Sequence, residues 1–169
     1  MNHFFETQRL LLIPFEQVEA TLFHGLSTTP HIRKYLWDDE NISLELAQEV
    51  LTNNTILFDQ KGYGLWKIVL KDGKIPIGYV GLWHFFEESQ PQLIYAIKKE
   101  NTGAGIATEA GRKILRYALE TLDFDHLIAA IDQGHQSSIN VVEKLGMKFE
   151  RKEVMEGKPT LFYKIENSG

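Results

Sequence analysis

The stretch Leu93-Ile94-Tyr95-Ala96-Ile97-Lys98-Lys99-Glu100-Asn101-Thr102-Gly103-Ala104-Gly105-Ile106-Ala107-Thr108-Glu109-Ala110 decides how this chain folds. Its first five residues form an apolar run of strand length. From Ile106 onward, Ile106, Ala110, Ile114, Tyr117 and Ala118 recur at helical spacing, with Arg112, Lys113 and Arg116 largely on other faces. Gly103 and Gly105 stand between the two patterns. Strand, glycine turn and helix in that order make an anion cradle. Glycine permits backbone conformations and close approach that a side chain would obstruct, and the amides opening a helix have no partners within it. A Gly-x-Gly before a helix is also ordinary turn chemistry, so its cargo has to be argued from the rest of the chain.

Working outward, Tyr63–Leu70 and Ile75–Trp83 read as strands joined at Asp72-Gly73, the clearest hairpin signal present. Gln92–Ile97 follows after the polar connection Glu87–Gln90, so three consecutive strands precede the glycine turn. Nearer the N-terminus, Arg9–Ile13 reads as a strand ended by Pro14. Val18–Phe23 and Pro30–Tyr35 read as short helices. Ser43 is a candidate N-cap for a helix reaching toward Phe58, with Asn53-Asn54 a weak point. Downstream come a strand, Leu127–Ile131, and a helix from Ser137 or Ser138 to Leu145, stopped by Gly146. Two further strands, Lys148–Val154 and Leu161–Ile165, flank the turn Glu156-Gly157-Lys158-Pro159. The order predicts one α/β (α+β) domain over residues 1–169. It has a mixed, mostly antiparallel central sheet, helices on both faces and a parallel pair around the central helix.

Composition narrows the function. The chain has 169 residues, 43% hydrophobic and 24% charged, enough for one sizeable core. Eighteen basic residues against 23 acidic ones give a net charge of -5, which offers no general attraction to nucleic acid or anionic membrane. There is no cysteine, which removes disulfides, a thiol nucleophile and cysteine-ligated metal. The six histidines do not fall into a metal-ligand spacing, so no metal is expected. The N-terminus lacks signal-peptide order and no apolar run is long enough for a bilayer, so a cytoplasmic setting is expected.

Two familiar phosphate cradles fail. A P-loop ends in Gly-Lys-Ser/Thr, whereas Gly105 is followed by Ile106-Ala107. A dinucleotide fingerprint would put a third glycine where Thr108 stands, and its turn follows an early strand, not a third consecutive one.

What the stretch from Ile97 to Ala110 does resemble is the acetyl-CoA motif of the GNAT superfamily of N-acetyltransferases. It is most similar to the branch of the ribosomal-protein N-terminal (RimJ/RimL-type) acetyltransferases, which often reads Gly-x-Gly-x-Ala-Thr-Glu-Ala here. A second block, His135–Met147, resembles the branch's Asn-x-x-Ser, helix and Lys-Leu-Gly-Phe. Glu6–Leu10 is similar to its opening, and Ile77–Gly81 to its third strand.

The resemblance implies acetyl-CoA as cosubstrate, with CoA as product, and an amine acceptor that is a peptide N-terminus or a small molecule. It implies that the backbone of Thr102, Gly103, Ala104, Gly105, Ile106, Ala107 and Thr108 binds the pyrophosphate. Ile97 would pair with the pantetheine arm along a splayed strand, and donors near Ala96 or Ile97 would hold a developing oxyanion. Ser138 matches the serine that protonates the departing thiolate. Its own chemistry allows this, and equally allows an N-cap. His135 stands where the family has asparagine. It is a candidate cofactor contact and a candidate base, or only an orienting group.

Glu87 is the other candidate catalytic residue; with Glu88 and His84 it would face the acceptor amine, or form a charged turn. Tyr35, Trp37 and Trp83 would line the acceptor opening or pack in the core. Tyr117 reads as core, and Glu109 as a partner of Arg112 or Lys113. No nucleic-acid or membrane partner is expected, and either a monomer or a homodimer is compatible. The alternative function is a catalytically weak CoA-binding regulatory or interaction module.

Overall fold

The computed structural model describes residues 3–85 and 89–168. Strands β1 (Phe5–Glu6), β2 (Leu10–Pro14), β3 (Leu65–Leu70), β4 (Pro76–Trp83) and β5 (Gln92–Ile97) form one antiparallel sheet in that order. Between β2 and β3 come α1 (Ala20–Ser27), α2 (Pro30–Leu36) and α3 (Leu44–Lys61). After the glycine turn, α4 (Ile106–Arg116) runs into a π-helical turn, Tyr117–Thr121. Then follow β6 (His126–Asp132), α5 (Gln136–Lys144), β7 (Lys148–Met155) and β8 (Lys158–Glu166). The last three strands make a second antiparallel sheet, ordered β6-β8-β7.

The expected parallel pair is not closed. β5 pairs only with β4, from Gly78↔Ile97 to Trp83↔Gln92, and β6 only with β8, from His126↔Glu166 to Asp132↔Thr160. Each is therefore the edge of its own sheet, and among the described residues no ladder joins them. What joins them is a continuous core beneath: Leu93 and Ile97 of β5, Ile106, Ala110 and Ile114 of α4, Leu127, Ala129 and Ile131 of β6, and Val142 and Leu145 of α5. Burying one such aliphatic side chain is worth about 1.5–3 kcal/mol, against about 0.5–1.5 kcal/mol net for one hydrogen bond. Packing alone can hold the two sheets together while their facing edges stay open.

A second core covers the opposite face, where Phe15, Phe23, Ile32, Ala47 and Leu51 meet Tyr79 and Ala96. Alternation along β5 explains both: Leu93, Tyr95 and Ile97 point one way, Ile94 and Ala96 the other. Ser43 caps α3, its Oγ accepting from the Leu46 amide at 3.0 Å. The Asn53-Asn54 weak point does not break that helix. Asn54 is fully buried, its Oδ1 accepting from the Leu65 amide at 2.7 Å and its Nδ2 donating to the Phe15 carbonyl at 3.3 Å. The turn before β8 shortens to Glu156-Gly157, both at positive φ (51° and 81°), which places Lys158 in the strand. Among the described residues, no helix is long and apolar enough to cross a membrane.

Candidate active site

A cleft of about 570 Å³ lies between β5 and β6, with the glycine turn at one end and α2 at the other. At the glycine end, Gly103 and Gly105 adopt φ of 80° and 79°, the left-handed region that disfavours side chains. Gly105 is the N-cap of α4 and no side chain among the described residues caps that helix, so the Ile106, Ala107 and Thr108 amides open it without intrahelical partners. Thr102 is different. Its amide and its hydroxyl both donate to the Lys99 carbonyl, at 3.1 and 2.6 Å, so it lines the cleft with its amide already engaged within the turn. Ala104 does not line the cleft; its carbonyl accepts from Arg9 Nη1 at 2.8 Å.

That contact belongs to a clamp. Glu109 accepts from the Thr7 hydroxyl (2.5 Å), the Arg9 amide (2.8 Å) and Arg9 Nε (2.8 Å). Burial alone would raise the Glu109 carboxyl, but these hydrogen bonds and the guanidinium outweigh it and hold it below its ordinary value. The pairing with Arg112 or Lys113 expected from helical spacing is thus replaced by one about a hundred residues away in sequence. The N-terminal Thr7-Gln8-Arg9 segment rivets the glycine turn to the start of α4.

Along the middle of the cleft runs the open edge of β5. The Lys98 amide donates to Ile77 on β4, and backbone groups alternate along an antiparallel pair. Ala96 therefore faces β4, and the amides and carbonyls of Tyr95 and Ile97 face the uncovered edge. Of the two expected backbone donors, Ile97 is the one turned to the cleft. Opposite stands Ser138, the third residue of α5 and not its N-cap; that place is His135. The Tyr95 phenol lies 2.8 Å from Ser138 Oγ and donates to the Ser138 carbonyl at 3.0 Å. Burial pushes the Tyr95 phenol well above its usual range, with the Ser138 contact opposing, so it stays protonated.

At the far end, Tyr35 of α2 stacks on His135, with ring centroids 3.6 Å apart and an 11° tilt, and His31 stands edge-on at 6.2 Å. Burial, with His31 and Lys34 nearby, lowers the His135 pKa to about 4. It is neutral at pH 7, and too weak a base to match an alkylammonium proton. Trp37 Nε1 donates to the Tyr79 hydroxyl at 3.0 Å, so this cleft-lining indole is fixed by the second core. Beyond it, Lys158 bridges Asp38 at 2.8 Å and Asp132 at 3.7 Å, tying the loop after α2 to the second sheet.

Of the residues expected at the site, Ala96, Ile97, Thr102, Gly103, Gly105, Ile106, Ala107, Thr108, His135 and Ser138 all line this one cleft. Glu87 and Glu88 lie outside the described residues. His84 is not in the cleft lining, and its Nε2 is 2.9 Å from the Tyr63 hydroxyl. Trp83 packs on the second core and Tyr117 donates to the Gly62 carbonyl at 2.6 Å, both structural. Tyr95 and the Lys158 bridge were not foreseen. For Tyr95 a signal existed, since it sits two residues before Ile97 and shares its strand face.

An open strand edge flanked by an uncapped helix start and the Ser138 hydroxyl fits a carrier with an anionic end and a strand-like arm. This is the constitution of coenzyme A. An acetyltransferase (GNAT) domain model matches residues 9–148, and the chain belongs to this family of acetyl-CoA-dependent acyltransferases. Among its relatives, Uncharacterized protein YkkB of Bacillus subtilis (strain 168) is 30% identical over 149 residues, covering 86% of this chain and 84% of that one. In structure it is similar to a ribosomal-protein-S5-alanine acetyltransferase from Vibrio fischeri (TM-score 0.81, 16% identity, 98% of this chain and 97% of that one). It is likewise similar to RimL, a ribosomal L7/L12 alpha-N-protein acetyltransferase in complex with coenzyme A (TM-score 0.77, 16% identity, 95% of each chain). At these identities the structural likeness is one of fold.

Proposed function

We propose that this chain moves the acetyl group of acetyl-CoA directly to a primary amine, either a protein or peptide N-terminus or a small-molecule amine. The observation that carries the reading is the open β5 edge inside the cleft, running from the uncapped start of α4 to Ser138. The coenzyme A held by the structurally similar RimL supports the choice of carrier. Acetyl-CoA supplies an activated acyl carbonyl and a thiolate leaving group. The amides of Gly103, Gly105, Ile106, Ala107 and Thr108 bind its diphosphate, helped by the positive end of α4. The Ile97 and Tyr95 backbone groups bind the arm as a partner strand would, and the Ile97 amide faces developing negative charge on the carbonyl oxygen. Ser138 holds a proton for the departing sulfur, and neutral His135, fixed by Tyr35, orients rather than abstracts. Glu87 remains the residue proposed to receive the acceptor's proton.

The test is calorimetric titration with CoA, followed by mass spectrometry of peptide N-termini, lysines and small amines incubated with chain and acetyl-CoA. The expected result is saturable CoA binding and acetylation of one acceptor class. Binding with no acetylated amine in the whole panel would sink the transferase reading and leave a CoA-binding regulator.

A further inference from the structure

We propose that Tyr95 is a positioning residue for acyl transfer, setting the direction in which the Ser138 hydroxyl presents its proton; the inference rests on the reading of the cleft just given. A phenol has one proton, and the Tyr95 hydroxyl has two acceptors within reach, the Ser138 carbonyl at 3.0 Å and Ser138 Oγ at 2.8 Å. When Tyr95 donates to the carbonyl, its oxygen accepts the Ser138 proton and the serine has none for the cleft. When Tyr95 turns its proton to Oγ, it fills a lone pair of the serine, and the serine proton is released toward the cleft. One rotation of one O–H bond separates a closed from an armed serine. No cap or other side chain of the described residues holds Ser138 Oγ. Its direction is therefore set by Tyr95 and by whatever occupies the cleft.

The phenol acts by orientation and not as the ultimate acid, because its burial disfavours a phenolate. Ser138 gives its proton to the sulfur as the carbon–sulfur bond breaks and regains one from water, to which the acceptor's base passes the proton the nitrogen sheds as the carbon–nitrogen bond forms. Serine and tyrosine end as they began, and the net transfer is one proton from nitrogen to sulfur.

Tyr95→Phe keeps the ring and its packing while removing the switch. The first measurement needs no turnover: the pKa of the bound CoA thiol, followed by thiolate ultraviolet absorbance. An armed serine stabilises thiolate, so Tyr95→Phe should raise the bound thiol's pKa toward that of Ser138→Ala while CoA affinity measured below that pKa changes less than about 2-fold. In turnover, Tyr95→Phe should lower kcat about 10- to 100-fold with KM for acetyl-CoA unchanged, and should cost nothing further in a Ser138→Ala background. A Tyr95→Phe chain with wild-type thiol pKa and kcat would overturn the proposal. So would losses that multiply in the double variant, the mark of a merely structural tyrosine. CoA that fails to bind the wild-type chain overturns the reading of the cleft itself, before Tyr95 enters.

Discussion

The two ends of the cleft are built on different principles. The glycine end is backbone: amides of a turn and a helix start, shaped by two left-handed glycines and clamped from behind by Thr7, Arg9 and Glu109. The α2 end is side chain: a tyrosine stacked on a neutral histidine, an indole held by a buried phenol, and a lysine between two carboxylates. A backbone site recognises what every donor molecule shares and is indifferent to most substitutions except those that change its dihedral angles. A side-chain site can be rewritten one residue at a time. On the function proposed above, the glycine end is thus the generic part of the molecule, and the α2 end the part that individualises it.

That contrast can be broken most forcefully at Gly105. Gly105→Val forces a β-branched residue to φ of 79° and presses it toward Arg9 Nη2, which already stands 3.4 Å from where a Cβ would be. Strain of about 1–3 kcal/mol should weaken CoA binding about 10- to 100-fold by calorimetry, whereas Tyr35→Ala should leave that titration nearly unchanged and raise KM for the acceptor. Equal effects on CoA from both variants would erase the distinction between the ends.

The next largest effect is on stability. Glu109→Ala removes three hydrogen bonds to a charged acceptor and should lower denaturant stability by about 2–3 kcal/mol. Because the Glu109 carboxyl is held below its ordinary value, its contribution is present above that value and lost as pH falls through the lowered one. The acid limb of the wild-type stability curve should flatten in the variant. If it does not, the clamp is not what steadies the glycine turn.

His135→Asn probes the other end through pH. An unfolded histidine binds its proton near 6.5 and folded His135 only near 4, so between those values the unfolded state holds more protons. Wild-type stability should fall as pH drops from about 6.5 toward 4, and the asparagine variant should lose that part of the slope. His31, also lowered by burial and by Lys99 and Lys34, and His3, lowered by burial, contribute to the slope that remains. The smallest effect is Lys158→Met. This half-exposed bridge is worth under about 1 kcal/mol, so thermal stability should barely move while acceptor KM responds.

The glycine end was legible in the sequence because its signals are local. Gly103 and Gly105 stand adjacent to the strand and helix they connect, and periodicity alone orders all three. Ser138 came from a second local block, although its role as a helix cap could be ruled out only once α5 was seen to begin at Gln136. What the sequence could not carry were partnerships across the chain. The three carboxylate contacts of Glu109 reach back to Thr7 and Arg9, while helical spacing points only to Arg112 and Lys113. Tyr35 meets His135 from the opposite half of the chain. The strand pattern also favours sealing β5 to β6, since nothing in either run distinguishes an edge strand from a central one. Asn54 shows the same blindness in reverse: a poor helix former by propensity, it is anchored by two bonds that only the folded chain supplies.

The unsealed edge of β5 has a consequence for how this protein lives between turnovers. Natural sheets guard their edges, because a row of unpaired backbone groups invites addition of a strand from another chain. Here the edge must stay receptive, so the molecule goes through its cycle with a sheet one strand short. On the function proposed above, each incoming donor temporarily completes the fold. Amide hydrogen exchange at Tyr95 and Ile97 should slow on loading and resume on product release. The melting temperature should climb with donor concentration, and storage without donor should favour edge-to-edge association.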